Sequence, residues 1–113
     1  MKHQQAADTL ATLSHETRLA AFRHLVQAGP DGLSVGALRE HLGITATNLT
    51  AHLNLLRRAA LVLDRREGRV IRVRANYVRM NALIAYLTEK CCAGESDCGP
   101  AVVCKPAGKK ASR

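Results

Sequence analysis

The segment from Ile44 to Val62 constrains the fold more strongly than any other part of the chain. Leu49, Leu53 and Leu56 recur at helical spacing, so they share one side of an α-helix, and that side must face a core. Thr45 is a suitable N-cap because its hydroxyl can accept a hydrogen bond from a backbone N–H of the first turn. The opposite side carries short polar side chains. Alone it is typical of any surface helix, but it also fits the major groove of DNA.

A shorter helix is predicted immediately before this segment. Ser34 can cap it, and Val35, Leu38 and Leu42 form its apolar side. Gly43 follows at the position where a left-handed residue commonly ends a helix. Two helices joined by a tight turn with a glycine form a helix-turn-helix, which favours the DNA-groove interpretation of the second helix.

A two-stranded wing is predicted after this pair of helices. Residues 70–75 alternate in polarity, which places Ile71, Val73 and Ala75 on one face of a strand. Glu67–Gly68 is the predicted turn between this strand and the one before it.

Three further helices are predicted outside this unit. Residues 4–13 form a weakly amphipathic first helix, and Ser14 is predicted to cap the second. The apolar stripe of that second helix is Leu19, Phe22 and Val26. Asn76 is predicted to cap the last helix, whose uncharged side is either a dimer surface or part of the core.

Together these elements predict a mostly α fold with a small β-hairpin, a winged helix-turn-helix in the order α-α-α-α-β-β-α. Residues 1–92 are predicted to form the DNA-binding and dimerisation domain. Residues 93–113, in which Gly, Ser, Pro and Lys predominate, are predicted to be a flexible tail that contains cysteines. A small elongated domain with few aromatic residues often completes its core by forming a homodimer.

The positive charge is concentrated where the DNA-binding elements are predicted. The formal net charge is +8, and residues 43–79 hold eight arginines against only Asp64 and Glu67. Arginines in this number neutralise phosphates, so double-stranded DNA is the expected partner. The scarcity of aromatic residues disfavours single-stranded RNA.

Several other classes of protein are not expected. No apolar run approaches the roughly 18 residues of a membrane span, and the N-terminus lacks the apolar part of a signal peptide. We therefore expect a cytoplasmic protein without a membrane partner. The five histidines show no metal-ligand spacing, and no grouping of nucleophile, base and oxyanion donors is present, so an enzyme is not expected.

Four cysteines follow the last predicted helix: Cys91, Cys92, Cys98 and Cys104. In the cytoplasm such thiols are more often ligands or redox groups than structural disulfides. Neighbouring cysteines cannot easily bridge each other, whereas an adjacent pair plus a third thiol on a flexible loop suits As(III) or Sb(III), which take three sulfurs. The spacing lacks the C-x2-4-C pairs of structural zinc sites. A zinc-stabilised interaction module, a dithiol redox switch and incidental tail cysteines remain alternatives.

The order of elements and several motifs resemble the ArsR/SmtB family of bacterial winged-helix repressors. The motifs are SHETRLAAFRHLV, LSVGALREHLGITATNLTAHLNLLRRAALV and REGR, and the resemblance covers residues 5–92. It implies a homodimer joined through its first and last helices, which binds a palindromic operator and releases it when an inducer binds. By position, the resemblance assigns these residues to DNA contact: Thr45, Thr47, Asn48, Thr50, Asn54, Arg57, Arg66 and Arg69.

The resemblance also distinguishes between inducer sites. Members that bind metal in the helix before the recognition helix usually carry a cysteine pair there, and residues 34–42 contain none. Members that bind zinc between the last helices need Asp, His and Glu, and residues 76–90 offer only Glu89. A cysteine pair and, after five intervening residues, a third cysteine are similar to the arsenite-responsive arrangement. This implies As(III), or Sb(III), as inducer, with no organic cofactor, and it assigns the ligands Cys91, Cys92 and Cys98. Cys104 matches no ligand of the family.

Overall fold

The secondary-structure elements follow one another in the predicted order. In a computed structural model, which describes residues 1–90, the chain forms five helices and three strands. They are α1 (His3–Leu13), α2 (Glu16–Ala28), β1 (Leu33–Ser34), α3 (Val35–Leu42), α4 (Ala46–Arg58), β2 (Val62–Glu67), β3 (Val70–Ala75) and α5 (Tyr77–Leu87). The winged helix-turn-helix is confirmed, with β1 as an additional short strand. The predicted domain boundary at residue 92 and the predicted tail 93–113 lie outside the described residues.

Three predicted helix caps are confirmed by side-chain hydrogen bonds. Ser34, Thr45 and Asn76 precede α3, α4 and α5, and each side-chain oxygen accepts a bond from a backbone N–H three residues later, at 3.1 or 3.2 Å. Gly43 ends α3 in the left-handed conformation, with φ of +65°. These local interactions fix the tight turn between α3 and α4.

The cap of α2 was predicted one residue too early. Ser14 still has helical backbone angles, and its hydroxyl donates to the carbonyl of Ala11 in the last turn of α1. His15 is extended instead, and its Nδ1 accepts the backbone N–H of Thr17 at 3.1 Å. Ser14 therefore ends the first helix, and His15 begins the second.

The apolar stripe predicted for α2 was also partly wrong. Phe22 is buried as expected, together with Ala21 and Leu25. Leu19, however, is 44% exposed, and Val26 is only partly buried. A helix repeats every 3.6 residues, so a set rotated by one position fits the sequence almost equally well, and the small Ala21 gives little signal.

The core lies between the helices α2, α3 and α4 and the sheet. Leu49, Leu53 and Leu56 on α4 are almost completely buried, as their spacing predicts. They pack with Ala21, Phe22, Leu25, Leu38, Leu61, Val62, Val73 and Ala75. Because one side of α4 is committed to this core, its opposite side is held towards solvent.

The wing hairpin turns one residue later than predicted. Glu67 pairs with Val70, so the two-residue turn is Gly68–Arg69 rather than Glu67–Gly68. Gly68 has φ of +62°, which is required at the first position of a type II′ hairpin turn. The pairing makes Arg69 a residue of the wing tip.

The central strand of the antiparallel sheet is β3, which lies between β1 and β2. Val73 and Ala75 are buried, whereas Ile71, which was predicted on the same face, is 37% exposed. In β1, Leu33 pairs with Val73, so the chain before α3 is fixed against the base of the wing.

The connection from α4 to β2 is a Schellman turn. Ala60 has φ of +61°, and the N–H groups of Ala60 and Leu61 donate to the carbonyls of Arg57 and Leu56. Asn76 braces this turn from the start of α5. Its backbone N–H donates to the carbonyl of Leu61, and its side-chain Nδ2 donates to the carbonyl of Ala60, both at 2.8 Å.

Candidate DNA-binding surface

Four of the residues assigned to DNA contact lie on the exposed side of α4: Thr47, Asn48, Thr50 and Asn54. Thr45 is exposed at the start of this helix, where its hydroxyl oxygen accepts the backbone N–H of Asn48 at 3.1 Å. These side chains are short and carry both donors and acceptors. The helix can therefore approach the edges of DNA bases closely.

Arg57 is the assigned residue that is most engaged within the protein. Its Nε lies 2.9 Å from one carboxylate oxygen of Asp64 on β2 and 3.2 Å from the other. Its Nη1 donates to Oδ1 of Asn54 at 3.0 Å. Asp64 was not among the predicted site residues, because nothing in the local sequence shows that β2 passes beside the end of α4.

Among the exposed arginines of the wing, Arg66 and Arg69 remain available for phosphates. Arg65 pairs with Glu67 at 3.0 Å, and Arg72 lies 3.9 Å from the same carboxylate. Within residues 1–90, by contrast, Arg66 and Arg69 form no ion pair, and both are exposed. Guanidinium groups in this state can neutralise phosphates without first breaking an internal bond.

A groove of about 550 Å³ lies between α4, the start of α3 and the wing. It brings together three of the assigned residues, Thr50, Arg57 and Arg69. The other residues of its lining are Ser34, Val35, Gly36, Leu53, Val70 and Ile71. Arg66 is not part of this lining, so the structure places the assigned arginines at more than one position on the surface.

A polar link that the sequence did not reveal joins α2 to α4. Arg18 Nη1 lies 3.3 Å from Nδ1 of His52, and Arg18 Nε donates to the carbonyl of Thr12 at 2.7 Å. Arginine only donates, so Nδ1 of His52 is the unprotonated acceptor. Burial lowers the pKa of His52, and the charges of His15 and Arg18 lower it further. The ring of His15 lies 4.7 Å from that of His52.

The histidines are less scattered in the fold than in the sequence. Besides the pair just described, His24 on α2 stacks on His41 of α3, with ring centroids 5.1 Å apart. No group of three or more His, Cys, Asp or Glu side chains in the first 90 residues is arranged to hold a metal ion. Cys91, Cys92, Cys98 and Cys104 lie outside the part of the chain that the structure describes.

An apolar groove of about 360 Å³ lies between α2 and α5, away from the DNA-binding elements. Leu19, Phe22 and Val26 line one side of it, and Met80, Leu83 and Ile84 line the other. Leu87 at the end of α5 is 57% exposed, and Leu10 on α1 is 42% exposed. A bond of 2.6 Å between His3 Nδ1 and the hydroxyl of Tyr86 joins α1 to α5.

Comparisons with known proteins support this description. A family model described as a helix-turn-helix domain matches residues 13–65. No curated protein matches the sequence. An ArsR-like transcriptional regulator from Rhodococcus sp. RHA1 is 30% identical, with a TM-score of 0.66, over 75% of this chain and 77% of that one.

Two further solved structures are similar. The transcriptional repressor BigR from Xylella fastidiosa is 31% identical, with a TM-score of 0.61, over 75% of this chain and 85% of that one. Reduced HlyU from Vibrio cholerae is 29% identical, with a TM-score of 0.60, over 79% of this chain and 90% of that one.

The described part of the chain, residues 1–90, contains no helix long and apolar enough to cross a membrane. The Rhodococcus and Xylella proteins are described as regulators of transcription, which agrees with the prediction that the chain is not an enzyme. With two relatives at least 30% identical over more than two thirds of their length, and with the matching fold, the chain belongs to the ArsR family of winged-helix transcriptional regulators.

Proposed function

We propose that this regulator is a metalloid-responsive transcriptional repressor. It binds a palindromic operator as a homodimer and dissociates when As(III), or Sb(III), binds Cys91, Cys92 and Cys98. The observation that carries the DNA-binding part is the exposed polar side of α4 beside the wing, where Arg66 and Arg69 have no ion-pair partner within residues 1–90. The metalloid part rests on the sequence, in which CCAGESDC begins four residues after the end of α5 at Leu87.

The homodimer is supported by the apolar surface of α1, α2 and α5. Leu10, Leu19 and Leu87 on these helices are all exposed, and Leu19 lines the apolar groove. A second copy of the chain would remove these side chains from water. It would also present two recognition helices, and helices about 34 Å apart match successive major grooves of a palindromic site.

Release of DNA requires the inducer to favour a different dimer geometry. Three thiolates select a soft ion, and the cysteine pair follows α5, the helix that we place in the dimer contact. Binding there would alter the distance between the two recognition helices. A difference in affinity between the two geometries is the only quantity that can release DNA, and a typical coupling is about 5- to 150-fold.

A dithiol redox switch is the second candidate function. It is supported by the similar protein HlyU, whose structure is described as that of the reduced form. In this case a peroxide would oxidise Cys91 or Cys92 to a sulfenic acid and be reduced to water, and the sulfenic acid would condense with the thiol of Cys98 or Cys104 to a disulfide with loss of a second water; no metal would be needed.

The test measures operator release by each inducer in parallel. A duplex enriched from a randomised pool by the wild-type protein is labelled, and its fluorescence anisotropy is followed during titration with arsenite, zinc or hydrogen peroxide. We expect arsenite alone to weaken binding, by about tenfold or more. Cys91→Ser should bind the duplex normally and show no release, and Cys104→Ser is the matched control that should respond like the wild type.

Three results would contradict the proposal in different ways. If arsenite still released the duplex from the Cys91→Ser protein, the assigned ligands would be excluded. If peroxide but not arsenite released the duplex from the wild-type protein, the redox switch would be favoured. Zinc retained in non-denaturing mass spectra, together with loss of DNA binding in Cys91→Ser, would indicate a structural zinc module.

A further inference from the structure

The side chain of Arg57 is held by two partners before any DNA is bound. Its Nε lies 2.9 Å from a carboxylate oxygen of Asp64, and its Nη1 donates to Oδ1 of Asn54 at 3.0 Å. Asp64 belongs to β2 of the wing, whereas Asn54 belongs to the same helix as Arg57. The guanidinium group is therefore already fixed between the wing and α4 in the unbound protein.

These two contacts leave most of the hydrogen-bonding capacity of Arg57 unused. A guanidinium group has five N–H donors, one on Nε and two on each Nη. The contacts with Asp64 and Asn54 occupy the donor of Nε and one donor of Nη1, so three donors remain, two of them on Nη2. Within residues 1–90, Nη2 has no hydrogen-bond partner, and it does not belong to the buried atoms that lack one. Nη2 is therefore open to solvent.

The groove beside the wing offers two guanidinium groups to an anion. Arg57 and Arg69 both line this groove, which has a volume of about 550 Å³. Arg69 forms no ion pair within residues 1–90, and Arg57 can still donate from Nη2. Guanidinium groups bind phosphate oxygens through charge-assisted hydrogen bonds, and phosphate contacts position a protein on duplex DNA. A phosphate of a DNA strand is the anion that the proposed function brings to this groove.

We infer that Asp64 is a positioning residue for DNA binding: it holds Arg57 in place to donate from Nη2 to a phosphate of the operator, and this ion pair persists in the complex. The inference rests on the proposed DNA-binding function and is independent of the metalloid response. A freely moving arginine loses rotamer freedom when it binds a phosphate, whereas Arg57 has already lost it in the unbound protein. Binding through Nη2 also breaks none of the bonds that Arg57 makes within the protein.

The opposite role for Asp64 is competition with DNA. If a phosphate displaced the carboxylate from Arg57, Asp64 would be an internal rival of the operator, and its negative charge would also repel the phosphates. Removal of the carboxylate would then strengthen DNA binding. In the positioning role the same removal weakens DNA binding, although the protein becomes more positively charged. The direction of the change in affinity therefore separates the two roles.

The test measures the affinity of full-length variants for the duplex that the wild-type protein enriches from a randomised pool. Asp64→Ala removes the carboxylate that holds Arg57, and we expect it to bind about threefold or more weakly than the wild type. Glu67→Ala is the matched control, because it removes a carboxylate from the same strand, β2, and Glu67 pairs with other arginines. It should bind at least as tightly as the wild type, since only the charge effect remains. Fluorescence anisotropy gives both affinities.

A second pair of variants tests whether Asp64 acts through Arg57. Arg57→Gln loses the phosphate contact, so the slope of log affinity against log salt concentration should become shallower by about 1. Adding Asp64→Ala to Arg57→Gln should cause no further weakening, because no guanidinium group is left to position. A general folding defect would weaken binding in both backgrounds. The Arg57–Asp64 ion pair is partly exposed and contributes little stability, so the variants should remain folded.

The outcomes separate this inference from the function on which it rests. An Asp64→Ala protein that binds the duplex as tightly as the wild type, or more tightly, would overturn the positioning role while leaving DNA binding established. Equal weakening by Asp64→Ala with and without Arg57 would also overturn it, because the effect would not pass through Arg57. A wild-type protein that enriches no duplex at all would contradict the DNA-binding proposal itself, and the inference with it.

Discussion

At the scale of single residues, Gly32 is the glycine at which an added side chain would have the least space. Its φ is +67°, and a Cβ at this position would overlap the backbone carbonyl of Val73 on β3. Arg72 holds the same turn, because its Nε and Nη2 donate to the carbonyls of Asp31 and Gly32, both at 3.1 Å. The sequence indicates a turn at Asp31–Gly32, but it does not show that β3 passes directly against it.

Replacing Gly32 with alanine should lower the free energy of unfolding by about 2 kcal/mol or more, because the left-handed φ and the overlap with Val73 both oppose the new Cβ. Gly36→Ala in α3 is the matched control. No atom lies within 4 Å of its added Cβ, and helix propensity predicts stabilisation by up to about 1 kcal/mol. Urea unfolding followed by circular dichroism measures both changes. A Gly32→Ala protein as stable as the wild type would show that the turn can move away from β3.

At the scale of elements, Arg18 connects three helices through side-chain contacts. It follows the turn between α1 and α2, donates to the carbonyl of Thr12 and contacts His52 on α4. The recognition helix α4 is therefore attached to α1 and α2 by a hydrogen bond that requires neutral His52. Protonation of His52 removes the acceptor and places a positive charge beside that of Arg18.

This link predicts a loss of stability in acid. The pKa of His52 is lowered in the folded state from its ordinary value of 6.5, so the unfolded chain takes up the proton more readily. The contribution of His52 is complete above pH 6.5 and declines as the pH falls below this value. The fall in Tm between about pH 7.5 and about pH 5.5 should be smaller in His52→Gln, which does not titrate.

His41→Gln is the control for this measurement, since exposed His41 stacks on His24 and does not contact α4 through Arg18. The Tm of this variant should fall as much as that of the wild type over the same change in pH. If His52→Gln lost the same amount, the acid sensitivity would lie elsewhere in the molecule.

Helices and strands whose own side chains form a clear pattern could be predicted from the sequence. Elements that form only because a distant segment pairs with them could not. The spacing of Leu49, Leu53 and Leu56 identified α4 and the side that remains exposed. The two-residue strand β1 exists only because β3 pairs with it, so its own sequence carries no pattern. Ser14 is the residue type that a cap prefers, and only the backbone angles show that His15 takes this position instead.

The same distinction applies to the candidate site. The polar residues of α4 were identifiable because helical periodicity fixes which side chains are exposed. The partners Asp64 and His52 were not, because the contacts they make with Arg57 and Arg18 depend on how the helices and the wing pack in three dimensions. The roles of the assigned residues in DNA contact remain predictions for the experiments above.

At the scale of the whole molecule, the two functions proposed for this chain occupy different surfaces. The surface of α4 and the wing is rich in arginine, and it also exposes Leu55, Leu63, Val70 and Ile71. The helices α1, α2 and α5 expose Leu10, Leu19 and Leu87, and an apolar groove lies between α2 and α5. An apolar patch rimmed by polar residues is typical of a protein-binding surface, and here we propose a second copy of the chain as its partner.

Replacing Leu87 with glutamate should convert the proposed dimer into single chains, because dimerisation would bury an unpaired carboxylate in an apolar contact. Val70→Glu is the matched control, since Val70 is similarly exposed but lies in the wing. Sedimentation equilibrium should give the mass of two chains for the wild type and for Val70→Glu. A Leu87→Glu protein with the mass of two chains would place the dimer contact elsewhere.

Asn76 joins the end of α4 to the beginning of α5. Its side chain and backbone bond the turn after α4, and its side-chain oxygen caps α5, so the beginning of one helix is fastened to the end of the other. The wing strands leave α4 and return to α5 at this same point. If an inducer tilts α5, as proposed above, we therefore expect the end of α4 and the base of the wing to move together with α5, rather than the wing to bend alone.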